Sequence, residues 1–299
     1  MKPASQLSDS PAVHRCASAG GFGLAALWSL YVLTFRQHMH GKRWLIMAAL
    51  FLLPAGLAVL IRATSPDAAA IEMDFLLAFM FIPQALLPLV ALVYASGIIN
   101  DEQEDQTLTY LLIRPLPKWA IYVVKMLATL TTTILLTAFF TVLTYVAIYI
   151  GSGAAGGDVA LRCLKAVGIH CLAVATYCCL FGLLSLLTRW ALIVGIVYAA
   201  LFEGLLANMP FGVRLVTVIY YTRLIAYRTM DFKLTQMGRT EDFAAELWKL
   251  DVQNDPQLLE HPSLRLCFLV LAVAGLVFTM IAAFLCSQRE FHVKTSQAT

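Results

Sequence analysis

This sequence predicts an all-α, polytopic membrane bundle of six transmembrane helices, and three observations carry that prediction. Apolar residues fill 60% of the 299 positions and charged residues 13%, whereas soluble domains hold roughly 45–50% and 25%. Mean hydropathy is +0.78, so lipid is the main solvent. Six separate apolar stretches are also long enough to cross a bilayer, which takes about 20 residues.

Those stretches are Trp44–Ile61, Phe75–Ile99, Trp119–Ile150, Ala166–Leu187, Ala191–Met209 and Leu264–Cys286. The third exceeds what one crossing requires and should tilt or project beyond the hydrocarbon. Pro54, Pro83 and Pro88 are expected to kink the first two spans, as neighbouring helices permit in a membrane. Ahead of the first span, Leu24, Leu27, Trp28, Tyr31 and Phe35 recur at helical spacing and run into Arg36, His38, His40, Lys42 and Arg43. That pattern predicts an amphipathic helix over 22–43 lying on the cytoplasmic surface. With no small-residue cleavage site after the apolar stretch, no cleaved leader is expected.

Orientation follows from the short basic loops. Arg36, Lys42 and Arg43, then Arg114 and Lys118, Arg189, and Arg289 and Lys294 fall on one side, which the positive-inside rule makes cytoplasmic. Both termini are then cytoplasmic, as expected of an inner or plasma membrane protein. Arg62–Asp74, Gly151–Lys165 and Pro210–Ser263 fall outside. The chain reads as a single transmembrane domain with a flexible tail at 1–21, a partly helical external segment at 210–263 and a cytoplasmic tail at 287–299. Gly151–Gly157 is expected as an external turn.

The formal charge of +3 is too small to suggest a nucleic-acid partner. None of the seven cysteines forms a CxxC pair, and most lie in apolar runs where a thiol behaves as a small hydrophobe, so no metal is expected. Cys163 and Cys267 both fall near the outer face; free thiols are the expectation, and a disulfide between them is the alternative.

The most informative stretch is 100–125, NDEQEDQTLTYLLIRPLPKWAIYVVK. Asn100 or Asp101 suits a helix N-cap, and Asp101 with Glu104 has capping-box spacing. Asp101, Glu102, Glu104 and Asp105 suit the positive end of such a helix. Leu108, Leu111 and Leu112 give it an apolar face, and Arg114-Pro115-Leu116-Pro117 ends it. Lys118 and Trp119 mark the return to the membrane. The result is a short capped helix on the cytoplasmic side between two spans. A solvated acidic loop is the plainer reading of charges alone.

The order of residues favours the helix. Glu102 and Glu104, Thr107-Leu108, Leu111-Leu112, Pro115 to Lys118 and Lys125 resemble the signature of ABC-2 type permeases, the membrane subunits of ABC transporters. Gln103 and Gln106 depart from it, standing where a basic residue and a glycine are common. The resemblance implies that Asp101–Arg114 is a coupling helix docking on a separate ATP-binding cassette subunit, which would hold ATP and Mg. It also implies a second permease chain as partner, in a homodimer or heterodimer, and export as the direction. Thr107 and Pro115 enter the site through this resemblance. No GxxxxGK[ST] sequence occurs, so the phosphate cradle of a P-loop is absent and no ATP hydrolysis is expected in this chain.

Ionisable groups inside spans are costly and mark candidate sites. Glu203 and His170 fall in the outer half of their spans, where they could pair or line an outer cavity; an interhelical polar contact is the simpler role. Lys125 lies near the cytoplasmic boundary, placed to snorkel or to meet the acidic segment. Tyr177 shares a helix face with His170, as helix packing commonly arranges aromatics.

Two other classes compete. An intramembrane protease or lipid-modifying enzyme needs a nucleophile with its base, or paired carboxylates or metal ligands, at depth. His170 beside Cys171 offers only neighbours that point apart on a helix, and neither GxSxG nor HExxH occurs. A secondary transporter is disfavoured by sparse intramembrane charge and the lack of an internal repeat.

Overall fold

The structure is a computed structural model that describes residues 22–65, 69–104, 117–153, 156–188, 190–208, 212–230, 232–236, 239–248, 250 and 261–288. The expected tail at 1–21 lies outside these residues, as does nearly all of 287–299.

Six helices are long and apolar enough to span a membrane. They are α2 (Lys42–Thr64), α3 (70–104), α4 (Lys118–Tyr149), α5 (Gly156–Leu187), α6 (Ala191–Asn208) and α9 (Leu264–Gln288). Ahead of them is α1 (Phe22–His40). Between α6 and α9 come α7 (Val218–Thr229), a hairpin of β1 (Lys233–Gln236) and β2 (Arg239–Asp242), and α8 (Phe243–Leu247). The strands pair antiparallel, Lys233 opposite Asp242 and Gln236 opposite Arg239. The all-α bundle therefore stands as expected, with one short hairpin added outside the spans.

Helix α5 lies at the centre and packs against α3, α4, α7 and α9. Its Ala166, Ala173, Val174, Cys178 and Phe181 are fully buried, so its small residues admit neighbouring backbones, as membrane helix contacts require. It begins at Gly156, well before the expected Ala166. The preceding turn reverses on Gly151 (φ 76°) and Gly153 (φ 70°), left-handed positions that suit glycine. Gly195 on α6 provides another close approach: a Cβ there would overlap the methyl groups of Leu92 on α3. Gly195→Leu is expected to cost about 1–3 kcal/mol by overpacking, read as a lower thermal midpoint of the detergent-solubilised protein.

Helix α3 changes winding along its length. Ala70–Met73 is α-helical, Asp74–Leu86 is a π-helix, and Leu87–Glu104 is α-helical again. Pro83 lies inside the π segment. An α-helical proline lacks an N–H and collides with the carbonyl four residues back, and the wider i→i+5 winding relieves that contact. Distortion expected as a kink thus takes the form of altered winding. Pro54 is carried within continuous α2, and Pro88 lies just after the π segment.

Two observations bear on the segments outside the six spans. Helix α1 packs along α4, with the Tyr31 hydroxyl 3.1 Å from Thr131 Oγ1. Thr131 is about 20 Å along α4 from Lys118 at 1.5 Å per residue. The buried face of α1 runs through Leu30 and Thr34, while Leu24, Trp28 and Leu33 are exposed. The other concerns 210–263, expected as a partly helical external segment. Nine consecutive residues of α7, Val218 to Ala226, are buried, and α7 packs between α5 and α9. Its first amides bond to Glu203, about 8 Å inside the end of α6. This stretch is too short to span and packs as part of the bundle.

Candidate functional site

Helix α3 runs unbroken through Asn100 and Asp101 to Glu104, so the cap expected at Asn100 or Asp101 does not form. Extending an existing helix adds a bond for each residue fixed, whereas a new cap must start a helix afresh. Asp101, Glu102 and Glu104 thus continue the second span. Asp105, Thr107, Leu108, Leu111, Leu112, Arg114 and Pro115 lie outside the described residues.

Both ends of the acidic segment are fastened to the bundle. On its leading side Lys125 is only 6% exposed and its ammonium donates to the Ile98 carbonyl at 3.1 Å. Lys125, expected to snorkel or to meet the acidic segment, thus makes a bond from α4 to α3. On its trailing side Pro117 precedes α4 in extended conformation and its carbonyl accepts from Ala120 and Ile121. The Cys286 thiol near the end of α9 donates to the Lys118 carbonyl at 3.6 Å. Trp119 is 52% exposed, as an interfacial aromatic should be.

Lys125 also starts a row of polar residues on α4 at four-residue intervals, continued by Thr129, Thr133, Thr137 and Thr141, all fully buried. Residues so spaced stack along one ridge of a helix. Thr133 bonds the Thr129 carbonyl and meets the Cys178 sulfur, and Thr141 lies 3.2 Å from His170 Nδ1.

His170 and Glu203 do not pair. His170 is fully buried, with its ring 5.5 Å from that of Phe79. The ring also meets the Ala78 backbone carbonyl. Ala78 is the residue whose carbonyl would face Pro83 in a π winding, and Pro83 has no N–H to offer it. The imidazole thus sits beside the carbonyl that proline deprives of a donor.

Glu203, also fully buried, caps α7. One carboxylate oxygen accepts from the Val218 amide at 3.1 Å and from the Tyr198 hydroxyl at 3.2 Å; the other accepts from the Ile219 amide at 2.9 Å. Four amides at a helix start lack intrahelical partners, and a carboxylate there also complements the dipole. Its role is therefore to hold α7. Glu203→Ala would leave two buried amides without acceptors at about 1–3 kcal/mol each. Glu203→Gln keeps one acceptor and should lose less, a ranking that thermal unfolding in detergent will test.

Sequence reasoning missed two groups. Asp74, at the start of the π segment, is fully buried and accepts from Arg162 on α5 (Nε 3.2 Å, Nη2 3.1 Å) and from the Tyr149 hydroxyl on α4 (3.3 Å). The signal was an acidic and a basic residue flanking consecutive outer loops, but both were assigned to loops. Arg223 on α7 was assigned to the external segment. Its position inside the apolar run Val218–Ala226 could have marked it as an intramembrane charge.

The Cys163 and Cys267 thiols are both free. Among the described residues no three His, Cys, Asp or Glu side chains gather as metal ligands do.

A family model described as ABC-2 family transporter protein matches residues 39–206, more than half of the chain. The match runs from the end of α1 through the acidic segment into α6. No curated protein matches the sequence.

Proposed function

This chain belongs to the ABC-2 family of transporter proteins, and from that premise we propose that it exports its substrate with energy from ATP hydrolysed by a separate subunit. Membership makes it an integral, multi-pass membrane permease of an ABC transporter and implies association with an ATP-binding cassette subunit. The finer reading is that residues 101–114 dock on that subunit, which carries the ATP and Mg. Two permease chains pair in the complex, both termini of each are cytoplasmic, and the membrane is the inner or plasma membrane.

One observation supports this reading most. The helix that enters the acidic segment is continuous with α3, and Lys125 bonds it to α4 just before that segment begins. A push on 101–114 then moves two spans as one body. The transported substrate passes beside spans that respond to the push, with Lys118 and Lys125 at the inner boundary.

The test is copurification. Coexpressed with its ATP-binding cassette subunit, the full chain should bring that subunit down, and the complex should hydrolyse ATP faster than the subunit alone. A chain that purifies alone and leaves the hydrolysis rate unchanged contradicts the reading.

A further inference from the structure

Arg223 links α7 to two spans. It is 5% exposed, with Nη1 donating to Asn208 on α6 at 2.9 Å and Nη2 to Gln84 on α3 at 3.1 Å. Its Nε is buried without a hydrogen-bond partner. Both acceptors are neutral amides, a weak set for a desolvated guanidinium. The Glu203 carboxylate acts on Arg223 electrostatically, but its oxygens are engaged by the α7 amides and Tyr198. Tyr177 on α5 faces both Glu203 and Arg223.

Arg223 thus holds Gln84 and Asn208 while Glu203 holds the start of α7.

We infer that Arg223 is a positioning residue that makes the seating of α7 depend on where α3 lies, through its bond to Gln84. Gln84 belongs to the helix that continues into the acidic segment, so a shift of α3 reaches 210–263 by this contact. The cause of that shift rests on the permease reading; the Arg223–Gln84 contact does not.

A native thiol reports the seating. Cys267 on α9 is fully buried, and α9 packs against α7. Its alkylation by a soluble maleimide in the purified full chain, read by peptide mass spectrometry, measures how often α7 moves away. Gln84→Leu should speed alkylation about tenfold, the worth of one charged hydrogen bond. Gln84→Glu, nearly identical in shape, should slow it by pairing with Arg223. Arg223→Leu, which also loses the Asn208 bond, should speed it at least as much as Gln84→Leu, with no further gain in the double variant.

Equal rates for wild type and both Gln84 variants, or shifts of the same sign in both, overturn the inference. Should Gln84→Leu fail to fold, slowing in Gln84→Glu alone decides it. In the complex with the ATP-binding cassette subunit, ATP should change the Cys267 rate in wild type but not in Gln84→Leu. An equal response to ATP in both rejects the positioning role. Opposite shifts in the Gln84 variants without any response to ATP retain that role and reject the coupling of α3 to the ATP-binding cassette subunit.

Discussion

Asp74→Ala is expected to lower the stability of the detergent-solubilised protein by about 3 kcal/mol, among the larger losses a single substitution produces. Asp74 is fully buried, and its carboxylate binds the Arg162 guanidinium, which is 20% exposed. Removing the acid leaves a largely desolvated cation, and it also frees the Tyr149 hydroxyl. Partial exposure of Arg162 holds the loss to the lower end of the range for broken buried pairs. A fall of the thermal midpoint on the order of 5 °C is the measurable result. The double variant Asp74→Leu/Arg162→Leu should recover much of it, because paired apolar residues avoid desolvation altogether. If the double variant proves no more stable than Asp74→Ala, the loss comes from packing, and the ion pair has little weight.

The second large effect falls on assembly. Charge reversal of Glu102 and Glu104 to lysine should reduce copurification of the ATP-binding cassette subunit on the order of 100-fold, since inverting charge at a docking contact costs several kcal/mol. Glu246→Lys supplies the control, because Glu246 is exposed on α8, outside the proposed docking segment. Should the reversed variant retain both binding and ATP-driven transport, the coupling assignment of 101–114 must be abandoned. Raising salt should weaken the wild-type complex as well, because exposed charges are screened over about 8–10 Å.

The spans were legible because hydropathy over about 20 residues is a strong local signal. Trp119–Ile150 and Ala191–Met209 differ from the observed helices by about a residue at each end. The start of α5 was not legible for the opposite reason. Asp158, Arg162 and Lys165 read as loop residues, and nothing local to Arg162 reveals that Asp74 neutralises it from another helix. Helix α7 escaped notice because its buried run is too short to span, while basic residues nearby suggest an aqueous loop. Glu203 was found by the cost of its charge, yet its amide partners lie 15 and 16 residues further along, on another helix. In the acidic segment, the order of residues identified the family, but local capping chemistry mispredicted where the helix begins. The capping-box spacing of Asp101 and Glu104 was present, but a helix already running from α3 left nothing to cap.

The bond between Tyr31 and Thr131 joins positions 100 residues apart, and that separation sets an order of events at the ribosome. At about 5–20 residues per second, α1 is made some 5–20 s before the part of α4 that it packs against. During that interval the newborn helix must wait in the membrane without its partner. Its aromatic and aliphatic residues, followed by Arg36, Lys42 and Arg43, suit a provisional berth at the lipid headgroups. The contact with α4 can form only once Thr131 has been made.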